Sequence, residues 1–286
     1  MSYMNNRNGR ASLAQETLKV IDQGFYHNQK GESQHLISLV SNAVEGTQYV
    51  KDSDFDELYP KRDKVIHGIE GSRTVFEVTS ESTLEAAHRL IVDEEFKGVS
   101  CLNFASAKNP GGGFLGGSQA QEEALARSSA LFPCISNNME MYEYNRSRKT
   151  CLYSDHMQYS PDVPVFRHDD GSFLETPYLL NFITSPAVNA GALKGSEKKK
   201  LPEIMLRRTE RVLTLAAVNR QKTLILGAWG CGVFKNNPDD IASYFASHLL
   251  GDGIFSRAFN RVVFAIYGRD PSNIESFKAY FDDSNS

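Results

Sequence analysis

Asn109-Pro-Gly-Gly-Gly-Phe-Leu-Gly-Gly-Ser-Gln-Ala-Gln-Glu-Glu123 joins an apolar run, Val99-Ser-Cys-Leu-Asn-Phe-Ala105, to a helical pattern from Gln121 to Leu131 that Pro133 is expected to end. Strand, glycine-dense loop and helix in that order are the repeating unit of a layered α/β sheet. Gly111 to Gly113 let backbone approach a ligand where any Cβ would clash, and they tolerate positive φ; Gly116 and Gly117 repeat that freedom. Glu122 and Glu123 then fall in the first turn of the helix, close to whatever the loop holds. Backbone amides beside a positioned acid point to a phosphate-bearing substrate cleaved with the help of a proton donor.

The same alternation extends outward from residue 74. Strands are expected at Thr74–Thr79, Tyr178–Thr184, Lys222–Gly227 and Arg261–Tyr267, and helices at Ser82–Val92, Glu197–Asn219, Pro238–Leu250 and Ser272–Phe281. Before residue 73, a helix is expected from a capping-box pattern at Ser12 toward Gly24, then short irregular elements. Residues 1–9 read as frayed and residues 134–175 as irregular. A second glycine loop, Gly227-Ala-Trp-Gly-Cys-Gly-Val-Phe234, also lies between a strand and a helix. Ligands of open α/β sheets sit beyond the carboxyl ends of the strands, so two loops far apart in sequence can converge there. No repeat and no linker divides the chain.

The 286 residues are 41% hydrophobic and 23% charged, which suits a globular core and excludes wholesale disorder. A net charge of −4 argues against a general nucleic-acid coat, which needs a basic footprint. Cys101, Cys134, Cys151 and Cys231 show no C-x-x-C spacing, so no zinc site is expected, and the pattern fits a reducing compartment. No signal core or membrane span is legible, and a soluble cytoplasmic protein, or a nuclear one in a eukaryotic host, is expected.

Each candidate residue also has a plain reading. Gly230, Cys231, Gly232 and Val233 offer successive amides for an anion nest, or only a tight turn. Phe234 can stack on a sugar or fill the core. Adjacent carboxylates at a helix start are ordinary, because the helix dipole favours them. After a glycine loop, however, they point about 100° apart, so one can reach a reacting centre while the other meets a neighbouring hydroxyl. Gln121 can orient either, and Asn109 can bind a ribose hydroxyl or merely open its turn. Ser154-Asp155-His156 resembles part of a catalytic dyad, but without a nucleophile elbow His156 is read as structural. Tyr153, Tyr159 and Phe166 are read as core or cleft wall, and Lys198–Lys200 with Arg207 and Arg208 as a solvated helix face.

Gly111-Gly-Gly113, a seven-residue spacer and Gln121-Glu-Glu123 together resemble the signature of poly(ADP-ribose) glycohydrolases. Asn103-Phe-Ala-Ser-Ala-Lys-Asn-Pro, Tyr159 to Arg167 and Gly227 to Pro238 are similar to further segments of the shorter, bacterial-type members. The resemblance spans roughly residues 10–280. It implies an α/β macrodomain: a mixed, mostly parallel central sheet flanked by helices. It implies one catalytic domain over 1–286, with 1–72 a mainly helical or irregular extension and 73–286 the macrodomain core. Glu123 would be the catalytic acid/base, and Glu122 would hold ribose hydroxyls. Gly112 and Gly113 would approach sugar and phosphate, Gly230 to Val233 would cradle the diphosphate, and Phe234 would pack over the distal ribose. Ser106 stands where longer members carry an asparagine. Val78, Thr79 and the Ser185-Pro-Ala loop are the expected adenine side. The implied activity is hydrolysis of ribose–ribose O-glycosidic bonds, mainly from chain ends, with no cofactor and no metal. The implied partners are poly(ADP-ribose), ADP-ribose and ADP-ribosylated proteins, with no nucleic acid, no membrane and a monomeric chain. The alternatives are a non-hydrolytic ADP-ribose-binding module and a mono-ADP-ribosyl hydrolase. An unrelated phosphate-ester hydrolase has only the glycine loops behind it.

Overall fold

The computed structural model describes residues 6–68, 73–268 and 270–282. Its first elements are α1 (Arg7–Gln23), β1 (Phe25–His27), β2 (Ser33–His35), α2 (Ile37–Gly46), β3 (Gln48–Val50) and α3 (Phe55–His67). Next come β4 (Val75–Thr79), α4 (Thr83–His88), β5 (Val99–Phe104), α5 (Gln121–Ser128), α6 (Leu131–Ser136) and α7 (Glu140–Ser147). The chain continues through β6 (Met157–Arg167), β7 (Phe173–Ser185), α8 (Leu201–Val218), β8 (Thr223–Leu226), α9 (Pro238–Leu249), β9 (Arg261–Ala265) and α10 (Pro271–Phe281). β1 and β2 form a small hairpin. The other seven strands make one sheet, in the order β3-β6-β7-β5-β8-β9-β4. β7, β5, β8, β9 and β4 run parallel, while β6 is antiparallel to both of its neighbours. The sheet is the mixed, mostly parallel one expected.

The sequence builds this sheet by putting apolar residues on both faces. Along β8, Leu224 and Leu226 join the core beneath α8, α9 and α10, while Ile225 joins the opposite core with α1, α2, α4 and α5. Val262 and Phe264 in β9 divide from Val263 and Ala265 in the same way. Continuous apolar runs of this kind mark strands covered by helices on both faces.

Several boundaries differ from the sequence expectations, each for a local reason. α1 starts at Arg7, well before Ser12, because the Asn6 side chain accepts the Gly9 amide at 2.8 Å. Gly24 closes it in the left-handed region at φ +78°. Residues 1–5 lie outside the described residues, and residues 7–9 are helical rather than frayed. The Ser82 capping box with Glu85 does form. Pro133 does not end the helix from Gln121. That helix stops at Ser128, and Pro133 sits in the first turn of α6, where its missing N–H costs nothing.

The stretch 134–175, expected to be irregular, contains the end of α6, all of α7 and β6, and the start of β7. Pro161 and Pro164 disguise the strand, and a bulge with Asp162 at φ +49° lies between Ser160 and Val163. The region before residue 73 adds β3 to the edge of the main sheet and lays α1 against α5. The expected boundary at residue 72 falls on 69–72, outside the described residues.

Candidate active site

β5 and β8 are adjacent and parallel, so the loops that leave their carboxyl ends emerge side by side. The start of the second loop lies against the end of β5: a Cβ on Gly227 would stand 3.1 Å from the Phe104 ring. The loop after β7 completes the rim, because the buried Trp229 indole donates to the Ser185 carbonyl at 3.1 Å.

In the first loop the two carboxylates are held by backbone amides. Glu122 is 3% exposed. One of its oxygens, Oε2, accepts the Ser106 amide at 2.7 Å, and the other accepts the Gly111 amide at 3.2 Å and Asn103 Nδ2 at 3.5 Å. Burial pushes this carboxyl up to about 8, against the donors and with the neighbouring Glu123 adding to the push. The buried Tyr142 hydroxyl, which has no partner among the described residues, is also pushed up, first by burial and then by Glu122. Glu123 is half-buried, and its Oε1 accepts the Gly113 amide at 3.0 Å. Its other oxygen accepts from no group among the described residues, so of the two carboxylates Glu123 is the less engaged.

The glycines here are a steric requirement. Gly112 has φ +58°, and a Cβ on it would lie 2.5 Å from Glu123 Oε1 and 3.2 Å from Glu122 Oε2. A Cβ on Gly113 would lie 2.5 Å from Ser118 Oγ. Gln121 acts as a fastener. Its Oε1 accepts the Phe104 amide at 2.8 Å, and its Nε2 donates to the Leu102 carbonyl at 2.8 Å and to Thr83 Oγ1 at 3.1 Å. Those bonds lock the start of α5 to the end of β5 and so fix where both glutamates stand. Ser106 Oγ accepts the amides of Lys108 and Asn109, and the exposed Asn109 carbonyl accepts the Gly112 amide, so both residues shape the turn.

The second loop leaves several of its amides unpaired among the described residues. Gly230 at φ +74° leaves no room for a side chain, with a Cβ meeting Ala187 and the Asn236 amide at 2.6 Å each. Asn236 closes the turn by donating to the Val188 carbonyl at 2.8 Å. The amides of Gly232, Val233 and Phe234 donate to no group among the described residues. Val233 is 78% exposed, and Cys231, its thiol pushed up to about 12 by burial, stays a protonated wall residue. The Phe234 ring leans on Tyr153 with centroids 6.0 Å apart. Unpaired amides of this kind can hold an anion, and a half-buried carboxylate at the same rim can exchange a proton.

Other sequence readings fall elsewhere. Arg208 is not on a solvated face. It is fully buried, donating to Asp155 at 2.6 Å and to the Pro186 and Leu152 carbonyls, while Arg207 and Arg211 pair with the same carboxylate. A buried carboxylate from a distant segment drew these arginines inward. His156 is structural: it bonds the Tyr49 hydroxyl at 2.7 Å and stacks on Tyr144. A cleft of about 1010 Å³ between α4 and the β6–β7 hairpin, lined among others by Glu81, His88, His168 and Asp169, contains none of the expected site residues. Asn103, Ser118, Tyr142 and Arg127 belong to the catalytic neighbourhood but were not singled out. Only the i, i+4 spacing of Glu123 and Arg127 hinted at one of them.

A parallel-centred α/β sheet with two glycine loops at the carboxyl edge, one carrying paired carboxylates and one carrying free amides, is the macrodomain class of fold. The chain belongs to the microbial-type PARG catalytic-domain family, whose model matches residues 14–168. It is similar to the crystal structure of poly(ADP-ribose) glycohydrolase from Thermomonospora curvata, with a TM-score of 0.89 and 40% identity over 96% of this chain and 100% of that one. The same enzyme bound to the inhibitor ADP-HPD matches with a TM-score of 0.87 and 39% identity, over 96% and 100% of the two chains. The Deinococcus radiodurans enzyme in complex with ADP-ribose matches with a TM-score of 0.79 and 39% identity, over 86% and 98%. A search of curated proteins finds no match. Among the described residues no helix is long and apolar enough to cross a membrane.

Proposed function

We propose that this protein hydrolyses the ribose–ribose O-glycosidic bonds of poly(ADP-ribose) and releases ADP-ribose from chain ends. The observation that carries the reading is the Gly113–Glu123 contact of 3.0 Å, with Gly112 leaving no room beside it, at the rim shared with an unpaired row of amides. The diphosphate takes the Gly232, Val233 and Phe234 amides, which places the distal ribose toward the first loop. Glu123 gives its proton to the glycosidic oxygen as the C1–O bond breaks with its electron pair going to that oxygen. Water adds to the oxocarbenium carbon and returns its proton to the Glu123 carboxylate, while the diphosphate offsets the positive charge. Glu122, buried with both its oxygens accepting loop amides, fixes the loop that carries Glu123. Phe234 over Tyr153 forms the wall against which a terminal ribose stops, which supports cleavage from the end.

Incubation with labelled polymer tests the proposal. Monomeric ADP-ribose is the expected product, and its absence overturns the reading. Turnover on a mono-ADP-ribosylated protein at a rate above that on polymer would reassign the substrate.

A further inference from the structure

Three successive carbonyls of the catalytic loop are each taken by an arginine. Arg7 Nε donates to the Gly116 carbonyl at 2.8 Å, Arg10 Nε to the Gly117 carbonyl at 2.8 Å, and Arg127 Nη1 to the Ser118 carbonyl at 2.7 Å. Two of these side chains come from α1 and one from α5. Gly117, at φ +72°, has no space for a Cβ because the Arg7 carbonyl lies against it, so α1 is seated directly on the loop. The Thr17 hydroxyl donates to the Arg127 carbonyl at 2.6 Å and ties the same helix to α5.

Arg127 differs from the other two. It is 1% exposed, and its Nε and Nη2 have no hydrogen-bond partner among the described residues. A buried guanidinium with idle donors is costly to keep. The charges that act on it are those of Glu123, one turn earlier on α5, Arg10 from α1 and Asp169 from the β6–β7 hairpin. Burial lowers the guanidinium to about 10, so it stays a cation at neutral pH. A closed path of bonds runs from it to the acid: Arg127 to the Ser118 carbonyl, the Ser118 amide to the Gly113 carbonyl at 3.1 Å, and the Gly113 amide to Glu123 Oε1 at 3.0 Å.

We infer that Arg127, braced by Arg7 and Arg10 of α1, is a positioning residue for Glu123. It fixes the loop that holds the carboxylate, and its charge favours the carboxylate that forms as the proton leaves for the glycosidic oxygen. The charge acts when negative charge develops and is not spent on binding substrate, so it speeds the chemical step more than it tightens the complex. The inference rests on Glu123 being the proton donor. If the wild type releases no ADP-ribose, the proposed function fails; if it does while Arg127 proves dispensable, only this inference fails.

The test is steady-state kinetics on polymer with Arg127→Met and Arg127→Lys, alongside ADP-ribose titration of each. Arg127→Met should lower kcat about 50-fold, in line with displacement of a catalytic group, and leave ADP-ribose affinity within about two-fold of wild type. Arg127→Lys, which keeps the charge and one donor, should stay within about five-fold of the wild-type kcat. Glu122, Asp169 and Arg10 are unchanged in these variants. A kcat within three-fold of wild type in Arg127→Met overturns the inference. So does an affinity loss as large as the kcat loss, or equal impairment of the two variants. If Arg127→Met does not fold, Arg10→Met decides: a fall in kcat of about five-fold at unchanged affinity supports the brace, and an unchanged kcat overturns it.

Discussion

The loops after β5 and β8 begin as near twins: glycine-rich turns at the carboxyl ends of neighbouring parallel strands, each leading to a helix. They end with opposite electrostatic output. In the first loop the amides of Ser106, Gly111 and Gly113 are consumed by the protein's own Glu122 and Glu123. In the second the amides of Gly232, Val233 and Phe234 remain open: the helix that follows is capped by Asn237 accepting the Asp239 amide, and among the described residues none of its carboxylates accepts a loop amide. Glycine content therefore says that backbone comes close to something. The side chains at the start of the next helix decide whether that something is an internal acid or an external anion.

The sharpest way to break this division is Glu123→Gln. Turnover on polymer should fall about 10³-fold, within the usual range for a proton donor, as measured by ADP-ribose release. Gly112→Ala comes next. Its Cβ has to displace the Glu123 carboxylate, so kcat should fall about 30-fold, whereas a near-normal kcat would mean that the acid's position is not set by this contact. In the second loop Gly230→Ala should weaken ADP-ribose binding several-fold and cost about 2 kcal/mol of stability in denaturant unfolding, because the residue is left-handed and crowded. Gly232→Ala has open space around its Cβ and should change stability by less than about 0.5 kcal/mol.

The smallest effect concerns pH. The Glu122 carboxyl rises from an ordinary 4.5 to about 8 on folding. Its contribution to stability is therefore full below pH about 4.5 and is lost as pH climbs toward about 8. Thermal melts between pH 5 and about 8 should decline more steeply in the wild type than in Glu122→Gln. Parallel curves would mean that Glu122 ionises without penalty.

Much of this was legible in the chain, and what was not has physical causes. β4, β5, β8 and β9 announce themselves as short apolar runs bounded by turn residues, and the Gly-Gly-Gly to Gln-Glu-Glu spacing locates the carboxylates. β6 was hidden because Pro161, Pro164 and the Asp162 bulge break the alternation that marks a strand, although almost all of it is buried. Arg208 looked like one charge on a basic helix face, because nothing local reveals that Asp155, brought from 53 residues away, neutralises it in the core. Arg127, one turn after Glu123, carries no signal of its own in the sequence, and Gln121 reads as a residue that orients a glutamate. Only the packing of α5 against β5 and α1 shows the first to be buried and the second to be spent on Phe104, Leu102 and Thr83.

The account's central claim is that the first loop carries the chemistry and the second carries the binding. Titration of ADP-ribose into Glu123→Gln, with Gly230→Ala as the reference, tests it most directly. The account predicts a Kd for Glu123→Gln within about two-fold of wild type although polymer cleavage is lost, and a several-fold weaker Kd for Gly230→Ala. A Glu123→Gln protein that loses ADP-ribose binding as fully as it loses turnover would contradict it.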